Sequence, residues 1–193
     1  MSMLIVTCGP TGIGKTHQMQ RLINRDQRRF APVLSVTTRQ RRDAEDGVWY
    51  RFITREELAS FDPADVLSNV EFSGERYVLL RSEIQKALEH APIAFMAIVP
   101  SVILLMREQK VPHSLIRCRV GDPTGYEERL VKRGFTGDKL AKEKATGVGY
   151  EYPVSDAAWP EQDVMLGIDA TDDERFDDAV RALAGPLFPH ELR

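Results

Sequence analysis

Gly9-Pro10-Thr11-Gly12-Ile13-Gly14-Lys15-Thr16 is the stretch whose reading decides the fold. It matches G-x-x-x-x-G-K-[ST], the pattern of a phosphate-binding loop. Before it, Met3-Leu4-Ile5-Val6-Thr7-Cys8 is a short apolar, β-rich run, and after it Met19, Leu22 and Ile23 recur at helical spacing. A strand that feeds a glycine-rich turn and then a helix aims backbone N–H groups and the helix dipole at a bound anion. Gly12 and Gly14 let the backbone approach that anion with no Cβ in the way, and Pro10, Thr11 and Ile13 complete the cradle. Lys15 is placed to reach the β- and γ-phosphates of a donor triphosphate, and the Thr16 hydroxyl to ligate Mg²⁺. ATP and Mg²⁺ are the expected donor and counter-ion.

Outward from the loop, the chain has the length of one domain: 193 residues, 42% hydrophobic and 28% charged. That is ordinary for a globular protein with a real core. The net charge of −3 provides no global basic field, so no nucleic-acid partner is expected. The two cysteines, Cys8 and Cys118, lie in apolar strand-like runs and read as buried free thiols. With no leader-like segment before the loop, a cytoplasmic location is expected. No apolar stretch reaches membrane-spanning length, because Pro100 and Ser101 break the run from Ile93 to Met106.

Strands are predicted at Leu4–Cys8, Val33–Val36, Val48–Ile53, Arg76–Leu80, Ile93–Val99, Ser114–Val120 and Val164–Ile168. Capping boxes at Thr54-x-x-Glu57, Ser82-x-x-Gln85 and Thr171-x-x-Glu174 mark helix starts, and Asp122-Pro123 reads as an N-cap followed by proline at the first helical position. The last helix is expected to bury Phe176, Ala179, Val180 and Leu183. Apolar strands alternating with helices predict an α/β domain on a parallel sheet, except over Val48–Leu80, where short alternating strands suggest an antiparallel insert.

A second phosphate handle follows. Ser35-Val36-Thr37-Thr38-Arg39-Gln40-Arg41-Arg42 packs three arginines and three hydroxyls into eight residues. Guanidinium forks pair bidentately with phosphate and hydroxyls fill its remaining acceptors. A kinase acting on a phosphorylated acceptor needs two such places, one for each substrate.

With these residues in view, the chain resembles the guanylate kinase family. Ser35-Val36-Thr37-Thr38-Arg39 with Arg42, then Asp46-Gly47-Val48-Trp49-Tyr50-Arg51-Phe52, is similar to its S-x-T-T-R-x-x-R … D-G-x-x-Y-x-F signature, and Phe72-Ser73-Gly74-Glu75-Arg76-Tyr77 to its F-S-G-N-Y-Y segment. Order and spacing follow the family from residue 4 to about residue 185. The resemblance implies a P-loop NTPase fold with a parallel core sheet flanked by helices (about 1–34, 91–125 and 150–190), a small mixed α/β acceptor-binding insert (about 35–90) and a helical lid (about 126–149). It implies an acceptor monophosphate held by Ser35, Arg39, Arg42, Tyr50 and Tyr77. Glu128-Arg129-Leu130-Val131-Lys132-Arg133-Gly134 resembles the lid's R-L-x-x-R-G, which makes Arg129 and Arg133, together with Lys15 and Arg42, the charges that act on the transferring phosphoryl. The four-residue offset puts Arg129 and Arg133 on one helix face. Lys144 stands where the family places another donor-binding lid arginine.

The chain also departs from that pattern. The family reads guanine with a carboxylate six residues before the glycine of its F-S-G segment. Here Ser68 holds that position, and a hydroxyl cannot accept two parallel N–H donors as a carboxylate does. Glu71, three positions on, is the candidate to take its place. Leu79 stands where a hydroxyl is usual, and Ala94–Ser101 carries no carboxylate where the family has a D-x-D sequence. The resemblance therefore implies a Mg²⁺-dependent nucleotide kinase, monomer or homodimer. The acceptor is left open between a nucleoside monophosphate and a modified nucleotide or sugar phosphate. A catalytically weak guanylate kinase-like module that binds a phosphorylated protein is the rival from another class.

Overall fold

The computed structural model describes residues 2–41, 46–72, 74–153, 158–167 and 171–188. Its centre is a five-stranded sheet in the order β2-β7-β1-β8-β9, with strands β1 (Met3–Cys8), β2 (Phe30–Pro32), β7 (Ile93–Ala97), β8 (Ser114–Val120) and β9 (Glu161–Leu166). Every pairing in it is parallel. Parallel strands need crossover connections, and the helices that supply them cover both faces. That is why β1, β7 and the first half of β8 read as unbroken apolar runs.

One face packs α1 (Lys15–Arg25) and α8 (Asp172–Ala184) around Ile5, Phe95, Ile116, Met19, Leu22, Phe176 and Val180. As expected, Phe176, Ala179 and Val180 are buried, while Leu183 packs at the margin. The other face packs α4 (Arg81–His90) and α5 (Pro100–Glu108) through Ile84, Ala87, Val102 and Met106 against Leu4, Val6, Ala94 and Met96. α4 thus buries its apolar stripe on this core sheet, and the sheet of the insert ends at Leu80.

Between β2 and α4 lies a second sheet, ordered β4-β3-β6-β5, from β3 (Ser35–Thr37), β4 (Tyr50–Phe52), β5 (Val66–Phe72) and β6 (Glu75–Leu80). It is mixed: β3 and β4 run parallel, whereas β3–β6 and β5–β6 are antiparallel. The expected strand at Val33–Val36 resolves differently. The chain leaves the core sheet at Pro32 and enters the insert sheet at Ser35. The expected strand at Val48–Ile53 shortens to β4, because a helical turn, α2 (Asp46–Trp49), occupies its start and buries Trp49 in the core. β9 starts earlier than expected, at Glu161, and Ile168 lies outside the described residues.

The helix starts test the capping assignments. Thr54 accepts from Glu57 N at 3.1 Å and its own N–H donates to the Glu57 carboxylate at 2.7 Å, a complete box opening α3 (Arg55–Ala59). Asp122 accepts from Thr124 N and Gly125 N, with Pro123 at the first position of α6 (Pro123–Lys132). Ser82 is no cap. Its N–H and hydroxyl both donate to Asp65, at 2.7 and 2.6 Å, and α4 begins one residue earlier. Thr171 precedes α8 without a side-chain cap bond. Finally α7 (Gly137–Val148) lies against α6, and Gly147 sets the approach: a Cβ there would come 2.4 Å from the Tyr126 ring.

Candidate functional site: a phosphate loop under two arginines

The loop between β1 and α1 uses left-handed backbone at Gly12 (φ 81°) and Gly14 (φ 108°), where a side chain would be strained. Gly9 meets a different constraint, since a Cβ there would sit 2.4 Å from the Cys118 carbonyl oxygen of β8. The first turn of α1 therefore opens onto a cleft of about 330 Å³ lined by Gly12, Gly14, His17, Gln18, Arg129, Lys132 and Arg133. The loop, the helix N-terminus and both lid arginines expected from the sequence meet there.

Lys15 is folded back rather than extended. Its ammonium donates to the carbonyls of Gly9 at 2.7 Å and Pro10 at 2.8 Å. Burial pushes its pKa below the ordinary lysine value, helped by the Arg133 charge and opposed by Cys118 and Cys8. The side chain is half-buried and holds the loop together, so it is not the freely solvated charge its motif position alone suggests. Thr16, by contrast, is exposed at the mouth of the cradle.

Arg129 lies across the loop. Its Nη1 donates to Ile13 O at 2.7 Å, and its Nη2 is 3.6 Å from the buried Asp172 carboxylate. Arg133 lies over Gly12: a Cβ there would be 3.8 Å from its Cδ and 3.2 Å from a Leu130 methyl. Tyr126, one turn before Arg129 on α6, donates its hydroxyl to Thr11 O at 3.0 Å, and burial pushes that phenol up to about 12. Tyr126, Arg129, Leu130 and Arg133 form one stripe of α6, with the two apolar members buried and the two arginines over the loop. Lys144 is placed elsewhere. It pairs with Glu127, which ties α7 to α6.

Two tyrosines that sequence reasoning passed over tie the segment after α7 to the root of the loop. Tyr150 Oη is 3.6 Å from Cys8 Sγ, and the Tyr152 hydroxyl donates to Cys118 O. Cys8 and Cys118 are free and buried, as expected. Burial raises both thiols, Cys118 to about 12, which keeps them protonated and makes neither a nucleophile.

In the insert sheet, the expected acceptor residues Ser35, Tyr50 and Tyr77 share one face. Ser35 pairs with Tyr50, and Thr37 pairs with both Phe52 and Tyr77, and directly paired residues point the same way. Arg39 stacks over this face, 4.8 Å from the Tyr50 ring centre and 5.4 Å from Phe52, while Tyr77 meets Tyr50 edge-on at 6.2 Å. Arg42 lies outside the described residues. Ser68 is paired with Leu79 on the same face as Tyr77, and both are buried.

Glu71 is a correction. It pairs with Arg76, on the strand face opposite Tyr77, where it is exposed and 3.4 Å from the Arg76 guanidinium. The period-2 alternation of β5 turns it away from Tyr50, Tyr77 and Arg39, so it does not replace the carboxylate missing at Ser68. Among the described residues no cluster of three or more His, Cys, Asp or Glu could hold a metal. No helix among them is long and apolar enough to cross a membrane.

The comparisons agree with this geometry. The guanylate kinase family profile matches residues 1–183. A guanylate kinase of Streptococcus agalactiae is 35% identical over 145 residues, covering 74% of this chain and 69% of that protein. One of Bacillus cereus is 28% identical over 157 residues, 80% of this chain and 77% of its own. The crystal structure of guanylate kinase from Anaplasma phagocytophilum superimposes with a TM-score of 0.57 at 18% identity, over 98% of this chain and 88% of that one, which speaks for the shared fold. A phosphate loop overlain by Arg129 and Arg133, on a parallel sheet carrying a small mixed insert, thus belongs to a chain matched by that profile nearly end to end: the protein is a member of the guanylate kinase family, whose enzymes are nucleotide kinases.

Proposed function

We propose that the protein is a Mg²⁺-dependent phosphotransferase that moves the γ-phosphoryl of ATP onto a nucleoside monophosphate or related phosphorylated acceptor. The observation that carries this reading is the convergence of Lys15, Arg129 and Arg133 on one glycine cradle. The cradle suits a triphosphate because Gly12 and Gly14 leave the loop amides uncovered and the N-terminus of α1 faces the cleft. Thr16, exposed beside it, suits Mg²⁺, which accepts one protein hydroxyl and completes its shell with phosphate oxygens and waters. When bound at Thr16, the ion would supply positive charge that neutralises the donor phosphates.

The chain's own residues position and neutralise. Lys15 would exchange the Gly9 and Pro10 carbonyls for donor phosphate oxygens. Arg129 and Arg133 would close from α6 on the transferring group. Ser35, Arg39, Arg42, Tyr50 and Tyr77 would fix the acceptor phosphate so that one of its oxygens attacks in line and ADP leaves. No side-chain nucleophile is required, and the protonated Cys8 and Cys118 supply none. We place the protein in the cytoplasm as a monomer or homodimer, with core, insert and lid as parts of one domain.

A second reading concerns the acceptor. Ser68 and Leu79 are buried on the acceptor face and Glu71 points away from it, so no carboxylate of this strand is available to a guanine edge. This favours an acceptor other than GMP, such as another or modified nucleotide or a sugar phosphate. Thermal shift separates the kinase from a phosphoprotein-binding module. Mg-ATP should raise the melting midpoint, whereas a shift with phosphopeptide and none with Mg-ATP would overturn the kinase assignment.

A further inference from the structure

Asp172 is a buried acid that the phosphoryl transfer above does not use. It begins α8, 3% exposed, and both carboxylate oxygens accept from the Gly167 N–H at 2.9 Å. One oxygen is 3.2 Å from Arg175 Nη1, and the other is 3.6 Å from Arg129 Nη2. The Arg129 guanidinium therefore spans two anchors, with one nitrogen on the loop carbonyl of Ile13 and another facing a buried carboxylate from a different element. It lies so close that a Cβ on Gly14 would be 3.0 Å from Nη1. Arg133, one turn further along α6, makes no ion pair among the described residues.

We propose that Asp172 is a positioning residue for Arg129. An arginine side chain has several soft torsions to freeze before it can act, and a guanidinium already held at the reaction site has lost that freedom in advance. The carboxylate is itself oriented by a backbone N–H, so it offers Arg129 a fixed direction and not a mobile surface charge. A donor phosphate then has only the Ile13 carbonyl to displace, while the far side of the fork stays on Asp172. The two lid arginines differ accordingly: Arg129 is set before the donor arrives, and Arg133 comes in with it.

This rests on the phosphotransferase reading, and the test keeps the two apart. In the free wild-type protein, ¹⁵N relaxation of the arginine Nε–H groups should show Arg129 rigid and Arg133 mobile. Equal mobility would overturn the proposal, and this arm needs neither an acceptor nor turnover. Asp172→Asn keeps an amide oxygen for Gly167 N–H but removes the charge that faces Arg129. It should loosen Arg129 and lower kcat about tenfold with the acceptor KM unchanged, since misplacing a positioned group costs one to two decades. In an Arg129→Ala background the same substitution should cost nothing further. An equal loss in both backgrounds, with Arg129 relaxation unchanged, would make Asp172 a purely structural tie between β9 and α8. Absence of any acceptor-dependent turnover in the wild type would instead count against the phosphotransferase reading alone.

Discussion

The proposed donor and acceptor sites are built in opposite ways. The donor side comes from one continuous stretch, Gly9 to Thr16, roofed by a single stripe of α6. The acceptor side is gathered from the ends of β3, β4 and β6 and the turn after β3, and only the sheet register brings Ser35, Tyr50, Tyr77 and Arg39 to one face. The donor side satisfies its motif in full. The acceptor side keeps the residues proposed to grip a phosphate but presents buried Ser68 and Leu79 on the same face. A site held by one loop must be kept or lost whole, whereas a site assembled across a sheet can change its distal contacts while the near ones stay. On the proposed reading, that difference would separate the chemistry done on a phosphate from the choice of molecule that carries it.

The largest effect is expected on the donor side. Lys15→Ala should lower kcat by about 10²–10³, the usual cost of removing one well-placed charge from a dry site. It should also lower the melting midpoint, because Lys15 bonds two loop carbonyls in the free protein. Steady-state rates and a thermal melt measure both, and wild-type turnover would break the donor assignment.

On the acceptor side, Arg39→Ala should raise the acceptor KM by roughly tenfold to a hundredfold, the worth of a charge-assisted pair, and leave the ATP KM unchanged. Arg39→Lys should recover only part of that, since an ammonium neither forks nor stacks on Tyr50 as a guanidinium does. Equal effects on both KM values would show that the two sides are not separable.

The distal contacts give a sharper contrast. GMP should be a poor or non-preferred acceptor, and Ser68→Glu should improve its kcat/KM relative to AMP, UMP, CMP and dTMP. A site built to bond a base discriminates by up to ~10⁴–10⁵, so efficient wild-type use of GMP with the others rejected would contradict this.

The smallest effect is on pH dependence. Burial holds the Lys15 pKa in the folded, unliganded protein below its unfolded value. Between the two values the unfolded chain binds the extra proton, so this group makes stability rise with pH across that window. ATP, which needs the ammonium, should bind less tightly as pH rises through the same window. Calorimetric titration of wild type against Lys15→Arg would show it, because arginine stays charged throughout; parallel profiles would argue against the depressed lysine.

What the sequence disclosed follows the same division. The loop, the strand before it, the apolar stripe of α1, the Asp122-Pro123 cap and the Arg129–Arg133 pair were all legible, because each is a short pattern with a local physical cause. Three features were hidden because they depend on register or tertiary contacts. Glu71 looked close to Ser68 in sequence, yet alternation along β5 turns it to the other face. Ser82 looked like a cap, but Asp65, distant in sequence, takes its hydroxyl. Asp172 carries in sequence only the signal of an acid at a helix start, whereas its carboxylate meets Gly167, Arg175 and Arg129. Tyr126 carried a usable signal, since its three-residue offset from Arg129 puts it on the stripe that faces the loop.

The most direct test of the central claim is ADP release from Mg-ATP across nucleoside monophosphates and sugar phosphates. The account predicts release that requires a phosphorylated acceptor, is abolished by Lys15→Ala, and is greater with at least one other acceptor than with GMP. Release independent of any acceptor, or none with ATP at all, would contradict it.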